Sequence, residues 1–248
     1  MTVDACAAIV QRGDPDRFAA VMAAPRDARA ALLVLYAFNL EVARAPWVAT
    51  EPLIAEMRLQ FWRDVLTGPR RAHEVAGPLH DLIHKVGLPV DVLERLVAAR
   101  SWDVYRDAHA DQAALDGYLE DTGAGLMWLA AKAVGQGDGA VQAVARDLGW
   151  AAGLANYLRA VPDLEVRGRI PLIDGTPAGV RALAVRGLGR IAQARRGKGG
   201  PAALAGWQAA GLLEQVVRDP MVVAEGRMGL AEIVRRGRLV WQAATGRF

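Results

Sequence analysis

The sequence predicts an all-α protein, and three observations carry that expectation. Apolar residues recur at helical spacing through most of the chain, and sustained period-two alternation rich in Val, Ile and Thr is absent. Gly and Pro, in turn, punctuate the chain at intervals that suit helices. The clearest stripe is Val180, Leu183, Ala184, Gly187, Leu188 and Ile191, with Arg181, Arg186 and Arg190 largely off it. A helix there is apolar on one face and basic on the other.

Taken in order, the first helical segment ends at Gly13-Asp14-Pro15 and the second at Ala24-Pro25. Further breaks fall at Thr67-Gly68-Pro69, Gly87-Leu88-Pro89, Gly135 to Gly139, Pro162, Gly175 to Pro177 and Gly197 to Pro201. By ordinary helix lengths these bound about seven to nine helices. No long linker and no repeat of fixed period is visible, so residues 1–248 are expected to form one domain.

A chain of 248 residues with 53% hydrophobic and 23% charged residues can bury a sizeable core, which excludes disordered and fibrous classes. The single cysteine, Cys6, forms no internal disulfide and no Cys-based zinc site, so a reducing compartment fits. Met1-Thr2-Val3-Asp4 carries an acid where a secretory signal carries Lys or Arg, and export is not expected. The longest uncharged stretches, Ala30 to Leu40 and Gly199 to Leu213, are shorter than the roughly 20 apolar residues of a membrane span. Net charge is only +3, yet Arg167, Arg169, Arg181, Arg186, Arg190, Arg195, Arg196 and Lys198 face the lone acid Asp174 between Val166 and Gly200. Such a segment attracts phosphates or anionic lipid, or else forms a solvated helix face.

No phosphate-binding glycine loop and no Gly-x-Ser-x-Gly elbow is present. His80 and His84, at i and i+4, form either a partial metal site or a surface pair. Asp103, Asp107 and Asp111 would align three carboxylates if one helix ran through them. The competing reading is a solvated acidic face, with Asp111 capping the next helix.

Three longer segments are more specific. The first runs from Asp16-Arg17-Phe18 through Pro25-Arg26-Asp27-Ala28-Arg29 to Tyr36-Ala37-Phe38-Asn39. The second is Leu115-Asp116-Gly117-Tyr118-Leu119-Glu120-Asp121-Thr122-Gly123-Ala124-Gly125-Leu126. The third joins Leu148-Gly149-Trp150-Ala151, Asn156-Tyr157-Leu158-Arg159 and Arg167-Gly168-Arg169. In this order and spacing the chain resembles the squalene/phytoene synthase family across most of residues 10 to 175. The resemblance implies an isoprenoid-synthase-like helical bundle around a central apolar cavity, with two Asp-rich motifs facing each other across its mouth. Ionising a prenyl diphosphate needs Mg²⁺ held by carboxylates and a cavity that excludes water.

The chain departs from that pattern at the ligands. Ala43, Arg44 and Trp47 stand where the first motif has three aspartates, and Glu41 shares a helix face with Arg44. In the second motif Ala160 and Leu164 replace aspartates, and Asp163 replaces a glutamate. Pro162 is expected to end or kink the helix and to turn Asp163 from the cavity. Ala37-Phe38-Asn39-Leu40-Glu41, Glu51-Pro52 and Met57-Arg58-Leu59-Gln60-Phe61-Trp62-Arg63-Asp64 are similar to the non-catalytic branch that contains the mitochondrial assembly factor for respiratory complex I. Trp62 and Phe61 on their own read as core anchors.

The expectation is therefore a pseudoenzyme that binds, with no catalytic residue, metal or other cofactor. Tyr36, Glu41, Asn156, Arg159, Asp163, Arg167 and Arg169 are the candidate substrate-binding residues. The arginine forks among them suit a diphosphate or a carboxylate equally, and the neutral groups suit a ligand or a buried backbone. Implied partners are a prenyl or quinone-like lipid, respiratory complex subunits and, peripherally, a membrane, with no nucleic acid. The implied location is cytoplasmic, on the inner face of that membrane. The competing expectation is an active prenyl transferase of the phytoene/squalene synthase type, using Mg²⁺ on Asp103 and Asp107 with Glu41 or Asp163.

Overall fold

Most prolines open helices here, because a fixed φ and a missing N–H cost nothing in a first turn. The computed structural model describes residues 3–49, 51–137 and 139–248. Met1, Thr2, Thr50 and Asp138 lie outside it, and with them parts of the Met1 to Asp4 stretch and of the expected break at 135–139. The first three helices are α1 (Val3–Gly13), α2 (Pro15–Ala23) and α3 (Arg26–Arg44). Asp14 caps α2 by accepting from the Arg17 amide at 2.9 Å. Next come α4 (Pro52–Thr67), α5 (Ala76–Val86), α6 (Val90–Ala99) and α7 (Gln112–Leu119). A π-helical turn, Glu120–Ala124, leads into α8 (Gly125–Ala133), and α9 (Gly139–Val166) follows. The chain closes with α10 (Pro177–Ala194), a 3₁₀ turn (Pro201–Gly206), α11 (Ala209–Arg218), α12 (Met221–Ala224) and α13 (Glu232–Thr245).

No strand occurs among the described residues. Among the described residues thirteen α-helices stand where about seven to nine were expected, because short helices such as α12 and the segmentation at residues 112–133 are not resolved by a Gly/Pro count. The expected stripe on α10 is real: Val180, Leu183, Ala184, Gly187 and Ile191 are buried.

Helix α9 is the hub, in contact with α8, α10, α11, α12 and both tight turns, while α3 packs on α1, α2, α4, α5 and α8. Phe38 and Trp62 are core anchors, meeting edge to face at 5.4 Å. A buried ring of this kind contributes roughly 1.5–3 kcal/mol. Where α9 crosses the π-helical turn there is no room for side chains: a Cβ on Gly149 would sit 2.7 Å from the Gly123 carbonyl oxygen. This contact gives Gly123 and Gly149 their role, a close approach that brings the 118–127 segment onto α9.

Two expectations are overturned. Helix α9 runs through Pro162 to Val166, so the proline neither ends the helix nor turns Asp163 away. The helix is gripped by neighbours along its length, and this packing outweighs one lost backbone bond. Nor do Asp103, Asp107 and Asp111 share a helix, since α6 ends at Ala99 and α7 starts at Gln112. Asp111 is the cap of α7, accepting from the Ala114 amide at 2.8 Å.

Candidate functional site

Helices α3 and α9, the 118–127 segment and residues 205–212 enclose a cavity of about 580 Å³. Its size suits a small-molecule ligand. Of the candidate residues, Tyr36, Asn156, Arg159, Asp163 and Arg167 line it. Glu41 does not: it lies with Arg44, Arg58 and His73 in a separate groove of about 390 Å³. Arg169 is absent from the lining and only 7% exposed, donating to the backbone carbonyls of Trp102 (3.0 Å) and Asp103.

The placement of the two arginines follows from the glycine between them. Gly168 takes φ +75°, a left-handed conformation that favours glycine, and the Arg169 amide returns to the Leu164 carbonyl at 3.0 Å. The turn leaves the Arg167 guanidinium 5.1 Å from the Trp47 ring at the cavity edge and sends Arg169 inward beneath Trp102.

Residues singled out less sharply by sequence complete the site. Asp14, Asp16, Arg17, Asn39, Arg100, Asp103, Tyr118 and Gln208 all line the cavity. Three of its four carboxylates already hold cations. Asp14 lies 3.5 Å from the Arg17 guanidinium. Asp16 pairs with Arg159 at 3.7 Å and with Arg235 of α13. Asp103, 4% exposed, pairs with Arg100 at 3.2 Å and accepts from the Tyr118 hydroxyl at 3.0 Å. Asp163 alone has no ion-pair partner among the described residues. Arg159 therefore pairs with Asp16, from α2, and not with Asp163 or Glu165 as local spacing suggests.

Behind Asp103 sits an aromatic box. Trp102 stacks on His109 with centroids 4.1 Å apart, Tyr118 meets both edgewise, and Tyr157 meets both at a tilt. The Tyr157 hydroxyl donates to the Pro171 carbonyl at 2.7 Å, so the His109 Nε2–H, 3.1 Å away, donates to that hydroxyl. Burial pushes the His109 imidazole down to about 4, leaving it neutral. On α3, burial pushes the Tyr36 phenol up to about 12, opposed by the Arg17 guanidinium. It is a protonated donor at neutral pH.

The Mg²⁺ that the fold implies does not fit this donor set. Ala43 and Trp47 line the cavity where carboxylates would be needed, and Arg44 faces the other groove. Among the described residues no group of three or more His, Cys, Asp or Glu side chains is placed to hold a metal ion. His80 and His84 bond each other, Nε2 to Nε2, at 3.1 Å.

The basic segment is largely committed as well. Arg186 pairs with Asp116, Arg190 with Asp147 at 2.8 Å, and Arg181 and Arg195 bond the carbonyls of Val217 and Phe248. No helix of the described residues is long and apolar enough to cross a membrane.

Comparison with known proteins agrees with this architecture. A crystal structure of a dehydrosqualene synthase superposes with a TM-score of 0.73 at 14% identity, covering 98% of this chain and 95% of that one. A squalene synthase from Alicyclobacillus acidocaldarius gives 0.66 at 17% identity, covering 98% and 94%. At such identities the likeness shows the fold. In sequence, a Drosophila melanogaster protein named NADH dehydrogenase (ubiquinone) complex I, assembly factor 6 homolog is 34% identical over 180 residues, 68% of this chain and 53% of that protein. The Homo sapiens assembly factor 6 is 26% identical over 161 residues, covering 63% and 48%. The chain spans about half the length of these curated relatives. The family model described as squalene/phytoene synthase matches residues 10–173. A match over that much of the chain, on the fold and the cavity described above, makes it a member of the squalene/phytoene synthase family.

Proposed function

We propose that the chain acts by binding and does not join prenyl diphosphates. In this reading residues 1–248 work as one domain, hold a prenyl or quinone-like lipid in the cavity, and serve the assembly of respiratory complex I from the inner face of a membrane. The relatives named as complex I assembly factors support the partner, and the apolar wall of Leu40, Leu119, Leu126, Met127 and Leu212 supports the lipid.

The observation that carries the reading is the state of the carboxylates. Drawing a diphosphate away from an allylic carbon takes several Mg²⁺ ions, each needing free oxygen ligands. Here Asp14, Asp16 and Asp103 are neutralised by arginines, and Asp163 is left alone. One free carboxylate does not assemble such a cluster. The seven candidate residues divide accordingly: Tyr36, Asn156, Arg159, Asp163 and Arg167 contact the ligand, while Glu41 and Arg169 shape its surroundings.

The test is incubation of the purified chain with farnesyl or geranylgeranyl diphosphate and Mg²⁺, with pyrophosphate as the readout. No release above the protein-free background is expected. Sustained turnover would overturn the binding role and restore the prenyl transferase reading.

A further inference from the structure

Three neutral polar side chains on the cavity wall have nothing to bond. Tyr36 is 2% exposed, Asn39 6% and Gln208 9%. Among the described residues none of the three makes a side-chain hydrogen bond, and Asn39 Oδ1 is fully occluded without a partner. Tyr36 and Asn39 stand at i and i+3 on α3 and so project from one face of it. Gln208 follows the 3₁₀ turn that packs on α2, and α2 packs in turn on α3. Buried polar groups normally find partners, since an unmade bond inside a protein forfeits what water supplied. Of the three, Asn39 Oδ1 is occluded without a partner while Tyr36 and Gln208 line the cavity, so together they give one wall a neutral polar patch.

Their chemistry says what kind. A phenol donates and accepts, and each carboxamide offers N–H donors and a carbonyl acceptor. A diphosphate carries several negative charges and only acceptors. It would bring that charge beside side chains that are all neutral, where the nearby guanidinium, Arg17, is already held by Asp14. An uncharged head with hydroxyl or carbonyl oxygens can bond such groups without bringing unpaired charge into the cavity. We infer that the cavity receives an isoprenoid lipid with an uncharged, oxygen-bearing head, a prenyl alcohol or a prenylated quinone, through Tyr36, Asn39 and Gln208. The inference deepens the binding role proposed above and rests on it.

Titration calorimetry on the full chain tests it, using farnesol, a diprenyl benzoquinone, and farnesyl diphosphate with and without Mg²⁺. Farnesol, the quinone or both are expected to bind at least about tenfold more tightly than farnesyl diphosphate, with Mg²⁺ failing to close the gap. Preference between the two uncharged probes identifies the source of the head. Asn39→Leu should weaken the tighter probe about tenfold, the loss of one good hydrogen bond, with no fall in melting temperature. Gln208→Leu is the second variant should the first misfold. Equal or tighter binding of the diphosphate, no binding of any probe, or unchanged affinity in a folded leucine variant would overturn the inference. Diphosphate binding without pyrophosphate release overturns the head preference alone, whereas release overturns the binding role too.

Discussion

The Asp103 side of the cavity and its α3 side are both polar, yet they are built in opposite ways. Around Asp103, Arg100 donates to both the carboxylate and Tyr118, and Arg169 takes the Trp102 and Asp103 carbonyls. His109 donates to the Tyr157 hydroxyl, which donates to the Pro171 carbonyl. This cluster bonds mainly within itself, although Arg100 Nε and Trp102 Nε1 have no partner among the described residues. On α3, Tyr36 and Asn39 are as deeply buried and make no such bonds. A bonded network contributes to folding whether or not a ligand is present, whereas groups that bond nothing in the protein contribute little until one arrives. Under the proposed binding role, the contrast separates residues that hold the cavity open from residues that would read its contents.

The largest effect should come from breaking the closed side. Asp103→Ala removes a carboxylate that is 4% exposed and leaves the half-buried Arg100 guanidinium without its counter-charge. Removing one partner of a buried ion pair costs about 3–5 kcal/mol. Denaturant unfolding of the variant should show a loss of that order, on the order of 10 °C in melting temperature for a chain of this size. A loss below about 1 kcal/mol would mean that the cluster is wetter and looser than its geometry.

Next is the pH dependence of the same cluster. His109 has a pKa near 6.5 when unfolded and about 4 when folded. The unfolded chain therefore binds the extra proton first. The stabilisation is fully present above pH 6.5 and is lost as pH falls from 6.5 toward 4, by up to about 3 kcal/mol. Unfolding measured at pH 7, 5.5 and 4 checks the slope, and His109→Gln should flatten it. A slope unchanged by that substitution would assign the acid sensitivity elsewhere.

How much of this the sequence discloses depends on the range of each interaction. The stripe on α10, the proline-opened helices and the three family segments are local patterns, and they point to the helical class and to Tyr36, Asn156, Arg159 and Arg167, which line the cavity. The misread positions are those decided at long range. Asp16 and Arg235 lie 219 residues apart, so nothing near Arg159 in sequence reveals that its partner is already shared. Arg169 shares a family motif with Arg167, yet only the left-handed turn at Gly168 shows that one faces the cavity and the other the backbone behind it. Asp103 and Asp107 look helical by spacing. In the structure the chain tightens after α6 through successive i+3 bonds, Trp102 to Ala99 and Asp103 to Arg100, as Trp102 turns to stack on His109. Pro162 misleads in the other direction, because local propensity yields to the packing of α9.

The smallest effect, and the sharpest probe of the contrast, is Tyr36→Phe. The change deletes one hydroxyl from a side chain that is 2% exposed and removes no hydrogen bond present in the protein. On the Asp103 side the matching change, Tyr118→Phe, would break bonds to Arg100 and Asp103. Tyr36→Phe should therefore leave stability within about 0.5 kcal/mol of the parent, as substitutions that break no specific interaction do. Denaturant midpoints with an unchanged slope settle the comparison. A loss of 1.5 kcal/mol or more would mean that the α3 hydroxyl is already satisfied in the free protein, by ordered water or a retained lipid, and the two sides of the cavity would then differ in occupancy and not in design.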